Sequence, residues 1–343
     1  MHFVSIIIPC RNEIRFIDIL IETLLKQDWP KDHIEWIVVD GASNDGTWER
    51  LEQLTHSNST LKIIKNPAKY VPQALNLAIA ESKGDVIVRM DAHSGYPNDY
   101  ISRLVDALDQ YKADNTGGVW KTLPGGVSNE AKAIALATSH PLGIGNADYR
   151  LGVNEPTEVD TVPYGCFRRD VFDRFGLFDE HMIRNQDDEM NARIVMGGGK
   201  IILLPDLFID YHARESISKM ATMFFQYGLF KPLVNLKVGK PATLRQFAPP
   251  ALVIGAIVGF AAYFLGFIST TLFEVFMAFY LIPILFVSAK ISAKNGWSLF
   301  IWLCLCFPVI HFSYGCGYLR GIGRFVFLRK HRSAGIQGVR DNR

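Results

Sequence analysis

Charge is scarce in this 343-residue chain. Only 20% of its residues are Asp, Glu, Lys or Arg, and 49% are hydrophobic. A disordered chain would show the reverse balance, so disorder is excluded. Cysteine is also sparse: five residues, an odd number, with no CxxC pair. That argues against a zinc ribbon, a thioredoxin-type site and a disulfide framework, and it favours free thiols in a reducing compartment. No GxGxxG follows the first apolar run and no GxxxxGK[ST] occurs anywhere, which argues against a classical dinucleotide fold and a P-loop. The N-terminus, Met1 to Pro9, has no basic region or cleavage site, so its short β-branched run reads as a strand and not as a signal peptide.

The charge that is present is unevenly placed. Residues 1–245 hold 27 basic and 32 acidic side chains, whereas residues 246–343 hold 9 and 2. An acidic front does not suit a nucleic-acid binder, and a basic end beside apolar runs suits a membrane surface. Mean hydropathy is +0.12, high for a wholly soluble enzyme. The excess sits in three segments, Phe247–Ile268, Leu272–Ala289 and Trp297–Leu319, which carry one acidic residue (Glu274) between them. Each is near the ~20 residues that cross a ~30 Å hydrocarbon core. Gly255 and Gly259 form a GxxxG in the first segment, a possible helix-packing or oligomer face. Three crossings from a cytoplasmic front would put the tail outside. That tail contains Arg320, Arg324, Arg329, Lys330, Arg332, Arg340 and Arg343, which the positive-inside rule keeps inside. A re-entrant or interfacial segment, or a short extra crossing in Gly321–Leu328, would reconcile the two, and the sequence leaves this open.

In the front, strand-like runs alternate with helical ones. Strands are expected at Val4–Pro9, Ile34–Val39, Leu61–Ile64 and Asp85–Met90. Helices are expected at Arg15–Leu25, Thr47–Leu54 and Pro72–Glu81. This order predicts a mostly parallel, Rossmann-like sheet with helices on both faces, and ligands beyond the C-terminal strand ends. The strings at those ends are Pro9-Cys10-Arg11-Asn12-Glu13, Asp40-Gly41-Ala42-Ser43-Asn44-Asp45-Gly46-Thr47 and Asp91-Ala92-His93. Carboxylates in such a crevice repel a diphosphate unless a divalent cation lies between them.

These three strings, in this order, resemble glycosyltransferase family 2. Gly143–Arg150, Asp160–Arg169, Arg184–Asn191 and Gln226-Tyr227-Gly228 extend the resemblance to the subgroup that makes succinoglycan-type exopolysaccharides. The resemblance implies a GT-A fold over residues 1–235, an interfacial amphipathic segment at 211–245, about three membrane helices at 246–320 and a basic tail at 321–343. It implies an inverting transfer from a UDP-sugar to a polyprenyl-diphosphate-linked saccharide, at the inner membrane with the catalytic domain in the cytoplasm. Pro9, Arg11, Glu13, Asp40, Asp45, Asp91, Arg214 and Lys231 would then bind the nucleotide sugar. Asp91 and His93 occupy the DxD position as metal ligands, with His in place of the usual Asp, and imidazole favours Mn²⁺ over Mg²⁺. Asp187, with Asp188 as the alternative, matches the catalytic base, although Gln186 stands where the family carries Glu. An acidic first helical turn and an ordinary Asn-Asp-Gly turn are the structural alternatives for Asp187 and Asp45. Arg214 and Lys231 equally suit snorkelling beside lipid headgroups, and a lone His212 reads as structural. Two other functions fit the same residues: a polyprenyl-phosphate sugar transferase, which needs no strong base, and a non-catalytic membrane scaffold that binds a nucleotide sugar. A processive synthase fits less well, because Gln226 is not followed by the Gln-x-x-Arg-Trp pattern.

Overall fold

The computed structural model describes residues 1–241 and 243–328. Arg329, Lys330, Arg332, Arg340 and Arg343 of the expected basic tail lie outside the described residues. The fold begins with a parallel half-sheet. Strands β1 (Val4–Cys10), β2 (Ile34–Asp40), β3 (Leu61–Lys65) and β4 (Val86–Arg89) alternate with helices α1 (Ile14–Leu25), α2 (Thr47–Thr55) and α3 (Val71–Glu81). Each expected strand and helix of this stretch forms within a few residues of its sequence bounds. The reason is apolar patterning: every residue of β1 is buried, and α1 buries Ile17, Leu20, Ile21 and Leu24 on one face.

Beyond β4 the direction changes. Helix α4 (Tyr100–Tyr111) leads to β5 (Asn115–Leu123). The short helices α5 (Asn129–Ala137), α6 (Pro141–Ile144) and α7 (Asp148–Leu151) follow, then β6 (Thr157–Glu158), β7 (Cys166–Arg168) and α8 (Asp170–Phe175). Helix α9 (Gln186–Met196) and strand β8 (Ile201–His212) complete this part. The eight-stranded order is β3-β2-β1-β4-β7-β5-β8-β6, parallel from β3 to β4 and antiparallel where β7 meets β4 and β5 and where β6 meets β8. The sheet is thus mixed, with the parallel half carrying the strand ends singled out in the sequence. Clusters of buried residues lie on both faces. Ile6, Ile8, Trp36 and Val38 belong to one, and Ile7, Ile37, Val39 and Ile87 to the other, as alternation along a strand requires.

Two compact units result. The first comprises residues 1–121 and 148–211. The second comprises 122–147 and the described residues from His212 to Leu328. In the second, α10 (Ile217–Val238) precedes the apolar helices α11 (Ala248–Phe264), α12 (Thr270–Asn295) and α13 (Phe300–Gly321). With their flanking turns, the last three form segments Leu244–Phe264, Thr270–Asn295 and Trp297–Phe327, all long and apolar enough to cross a membrane. The tight packing in this unit is not at the expected GxxxG. A Cβ on Gly255 would meet no atom within 4 Å, and one on Gly259 would meet the Phe276 ring at an ordinary 3.5 Å. Close approach occurs instead between α10 and α13. A Cβ on Gly228 would strike the Tyr314 carbonyl, and Cβ atoms on Gly317 and Gly321 would strike those of Phe225 and Leu229.

Candidate active site

The site lies in the first unit, where β1, β2 and β4 end. Four turns there hold non-glycine residues in the left-handed region: Asn12 (φ 57°), Ala42 (φ 55°), Tyr164 (φ 52°) and Asn185 (φ 60°). Asparagine tolerates this region, while alanine and tyrosine adopt it at a cost. Such strain persists only where surrounding contacts fix it, and it gathers at functional sites.

The turns after β1 and β2 are laced together. The Asn12 N–H donates to Ser43 Oγ (2.8 Å), and the Asn44 N–H donates back to Asn12 Oδ1 (3.0 Å). Asp40, buried at the end of β2, accepts the Ser43 N–H (3.0 Å) and the Ser43 hydroxyl. Its carboxylate therefore closes its own turn, as an Asx motif does. Asp45 is exposed. It accepts the N–H groups of Ile14 (3.2 Å) and Thr47 (3.1 Å) and the Thr47 hydroxyl (2.6 Å). These hydrogen bonds to its charged form outweigh partial burial and hold its carboxyl below the usual range. Asp45 thus ties the start of α1 to the start of α2, which agrees with the turn alternative. Arg11 lies over Gly41, where an added Cβ would come within 3.3 Å of its side chain. Pro9 is buried within β1.

Glu13 is buried at the N-terminal end of α1. Its N–H donates to Thr47 Oγ1 (2.9 Å), and its carbonyl accepts the N–H groups of Phe16 and Ile17. With its backbone so fixed, its Oε1 lies 3.1 Å from His93 Nδ1. When Nδ1 carries the proton, Nε2 is the lone-pair nitrogen. A carboxylate on one ring nitrogen is the usual way a histidine is held for a metal on the other.

Arg89, Asp91 and Asp187 form the centre. Arg89 is the last residue of β4, in a strand otherwise made of Val86, Ile87 and Val88. Its side chain is 4% exposed. One guanidinium nitrogen pairs with Asp91 (3.1 Å), the other with Asp187, and the group lies over the Tyr164 ring (5.3 Å to its centre). The Asp91 N–H donates to the Tyr96 hydroxyl (2.7 Å). Asp187 is in the first turn of α9, as expected, and burial pushes its carboxyl up while Arg89 pulls it down, with a net rise. Asp188 is half-buried beside it. Glu189 turns away to pair with Arg193 (2.7 Å). Asn191, one turn further on, fixes the helix. It donates to Thr161 Oγ1 (2.9 Å) and the Val162 carbonyl (2.8 Å), and accepts from Asn115 (2.8 Å).

An aromatic group continues from Tyr164. Trp120 stacks on Tyr211 (3.9 Å between centres) and lies 5.4 Å from Tyr164, and the buried Arg150 covers Trp120 at 4.5 Å. Arg89 and Trp120 were not singled out in the sequence, and Tyr164 and Arg150 entered only within the strings Asp160–Arg169 and Gly143–Arg150, with no role of their own. The available signal was a lone arginine ending an apolar strand two residues before Asp91. Arg214 and Lys231 belong to the second unit, Arg214 just after β8 and Lys231 within α10. His212, the last residue of β8, is exposed.

A two-residue donor set of Asp91 and His93 fits a divalent cation in character, a carboxylate oxygen with an oriented imidazole. Among the described residues, no group of three or more His, Cys, Asp or Glu gathers to hold a metal alone. A cation here would take its other ligands from diphosphate oxygens and water, as is usual where a phosphate substrate shares the metal.

A Rossmann-like parallel half-sheet followed by antiparallel strands, with acids at its strand ends and a carboxylate at a helix start, defines a GT-A type sugar-transfer enzyme. The model of the family described as glycosyl transferase family 2 matches residues 5–176, and the chain belongs to that family. It is 31% identical over 250 residues to the succinoglycan biosynthesis protein ExoA of Rhizobium meliloti (strain 1021), covering 72% of this chain and 74% of that one. It is 26% identical over 330 residues to a dolichyl N-acetyl-alpha-D-glucosaminyl phosphate 3-beta-D-2,3-diacetamido-2,3-dideoxy-beta-D-glucuronosyltransferase of Methanococcus voltae, covering 94% and 98%. The fold is similar to that of the mannosyltransferase PcManGT of Pyrobaculum calidifontis, solved with GDP-Man and Mn²⁺. The TM-score is 0.58 at 19% identity, covering 90% of this chain and 87% of that one.

Proposed function

We propose that this glycosyltransferase moves a sugar from a nucleotide-diphosphate donor, a UDP-sugar by motif, to a lipid-linked saccharide, with inversion at the anomeric carbon. One observation carries the reading: a single buried guanidinium, Arg89, holds both the Asp91 of the DxD position and the Asp187 of the α9 first turn. The two carboxylates that the reaction needs are thereby fixed at one place. Asp187 takes the acceptor hydroxyl's proton as that oxygen bonds to the anomeric carbon. The bond from that carbon to the phosphate oxygen breaks on the opposite side, and its electron pair leaves with the nucleoside diphosphate. Arg89 favours the ionised form of Asp187, the form that accepts the proton, and burial of the pair keeps that carboxylate basic. Asp91 and His93 would hold the divalent cation, Mn²⁺ in preference to Mg²⁺, and Glu13 would set the imidazole's orientation. When bound, the cation offsets the charge of the departing diphosphate. Asp40 and Arg11 would border the nucleoside and diphosphate. Arg214 and Lys231 would serve the diphosphate or lipid headgroups. A lipid-linked acceptor is supported by the apolar helices and by the name of the Methanococcus relative.

The test is nucleoside diphosphate release by the full-length protein in membranes. It uses a panel of UDP- and GDP-sugars, with lipid extract as acceptor, before and after EDTA. UDP release that stops with EDTA and returns with Mn²⁺ is the expected result. Undiminished turnover of Asp187→Asn would remove Asp187 as base and favour transfer to a lipid phosphate, which needs none. Nucleotide binding without turnover on any acceptor would favour the scaffold function.

A further inference from the structure

The ion pairs of Arg89 do not set the plane of its guanidinium. One terminal nitrogen meets Asp91 Oδ1 (3.1 Å) and the other meets Asp187 Oδ1, each through a single contact. Two contacts at the tips fix a line through a planar group and leave it free to turn about that line. The Nε–H donor is buried and finds no hydrogen-bond partner among the described residues. What faces the group is the Tyr164 ring, its centre 5.3 Å from the central guanidinium carbon. A cation at that distance is attracted by the ring's quadrupole, most strongly where water is excluded. Water is excluded here, since Arg89 and Tyr164 are both buried.

Tyr164 is kept in a conformation that its size disfavours. Its φ of 52° puts a bulky side chain in the left-handed region. The Tyr164 carbonyl accepts the hydroxyl of the buried Tyr100 (3.1 Å), and the Gly165 carbonyl accepts the Arg89 N–H (3.0 Å). Trp120 (5.4 Å) and Tyr96 (6.3 Å) wall the ring. Its hydroxyl makes only a long contact among the described residues, from Ser94 Oγ at 3.4 Å. Burial, with Asp91 near it, pushes the phenol well above its ordinary value, so it stays neutral. It therefore cannot meet Arg89 as an anion, and the ring face is what it offers. The same turn reaches α9. Thr161 Oγ1 and the Val162 carbonyl accept the Asn191 amide. A Cβ on Gly165 would come 2.2 Å from Oδ1 of Asn115, the residue that donates to Asn191. Residues 161–165 thus touch both Arg89 and the helix that carries Asp187.

We propose that Tyr164 is a positioning residue for sugar transfer: its ring face sets the plane of the Arg89 guanidinium and, through it, the separation of Asp91 from Asp187. The role rests on the reading of Asp187 as base and Asp91 as cation ligand. The ring acts through the electrostatics of its face and not through its volume. A guanidinium free to turn would hold the two acids at a range of separations. That lowers kcat, and it leaves donor binding by the turns after β1 and β2 largely alone.

The test replaces Tyr164 in the full-length chain by phenylalanine and by mono-, di- and trifluorophenylalanine. Fluorine draws electron density from the ring face and changes ring size little, so the series weakens the attraction for a cation while packing stays nearly constant. Nucleoside diphosphate release with lipid extract as acceptor should show kcat falling stepwise, by about 10-fold from phenylalanine to trifluorophenylalanine. Donor KM should change by less than kcat does. A flat kcat across the series overturns the proposal. Thermal unfolding in detergent gives a readout that needs no acceptor: the midpoint should fall stepwise with Arg89 present and stay level in Arg89→Gln. Equal slopes in the two backgrounds would mean that the ring only packs, and would overturn the proposal as well. Asp187→Asn in the same assay tests the underlying reading separately. Undiminished turnover there removes the base, and with it this role for Tyr164, whatever the ring series does. Lost turnover there with a flat series removes the role of Tyr164 alone.

Discussion

Arg89 is the residue whose removal says most about the chemistry. Its guanidinium is buried and shared by two carboxylates, so Arg89→Gln leaves Asp91 and Asp187 facing each other without a cation. Breaking a buried pair on one side typically costs ~3–5 kcal/mol, and sugar transfer should fall by about 100-fold or more in a steady-state assay. The acid limb of the pH–rate profile is a finer readout. As the proposed base, Asp187 would have to be ionised to accept a proton, and burial already lifts its carboxyl above the usual range. Activity should therefore fade on acidification earlier than for an ordinary carboxylate. Removing Arg89 takes away the influence that opposes the lift, so whatever activity Arg89→Gln keeps should show that limb at still higher pH; a limb moved to lower pH would contradict the assignment. Glu13 offers a separate check. Glu13→Gln should weaken Mn²⁺ binding by about 10-fold, the usual effect of losing a carboxylate behind a metal-bound histidine, measured by Mn²⁺ electron paramagnetic resonance with UDP present. An unchanged affinity would leave Glu13 a role in the α1 turn alone.

At the scale of elements, α9 and the α10–α13 pair are the two contacts to probe. Three hydrogen bonds from Asn191 pin α9 to the loop at Thr161 and to β5. Asn191→Ala should cost ~1–3 kcal/mol through the groups left unpaired. It should also lower kcat more than it raises donor KM, because it moves the helix that carries Asp187 and not the turns proposed to border the nucleotide. The glycines of the membrane-associated unit divide sharply. Gly317→Ala drives a methyl group into the Phe225 carbonyl and should destabilise by ~1–3 kcal/mol, as overpacking does. Gly255→Ala meets open space and should be near neutral. Thermal unfolding of the two variants in the same detergent compares them directly. Equal effects would mean that the α10–α13 contact is looser than the backbone approach indicates. The GxxxG of Gly255 and Gly259 was legible as a pattern, but a pattern of small residues does not say which helix, if any, comes close.

For the whole molecule, the second unit is built from distant stretches of chain. Segment 122–147 and the described residues from His212 to Leu328 fold together, and α13 fills the cluster made by α5 and α10. A chain ending after Val238 would keep the family motifs yet expose Ala133, Ile134, Met220 and Met223. It should be poorly soluble, and proteolysis should cut it first within 122–147. A truncated chain as soluble and protease-resistant as the full one would show that α5 and α10 close up without α13.

The sequence by itself determined the parallel half of the sheet, the three strand-end strings, the acidic first turn of α9 and the three apolar segments, because each rests on local periodicity or on a contiguous string. It also carried the family resemblance, since that lies in contiguous motifs. Tertiary structure decided what depends on residues far apart in the chain. It joined Asp91 to Asp187 through Arg89, set Glu13 against His93 and tied Asp45 to the starts of α1 and α2. It also packed Gly315 on the first turns of α11. Hydropathy counts residues one after another, so it finds a segment long enough to cross a membrane. Whether that segment crosses depends on the neighbours it packs against, which only the folded chain supplies.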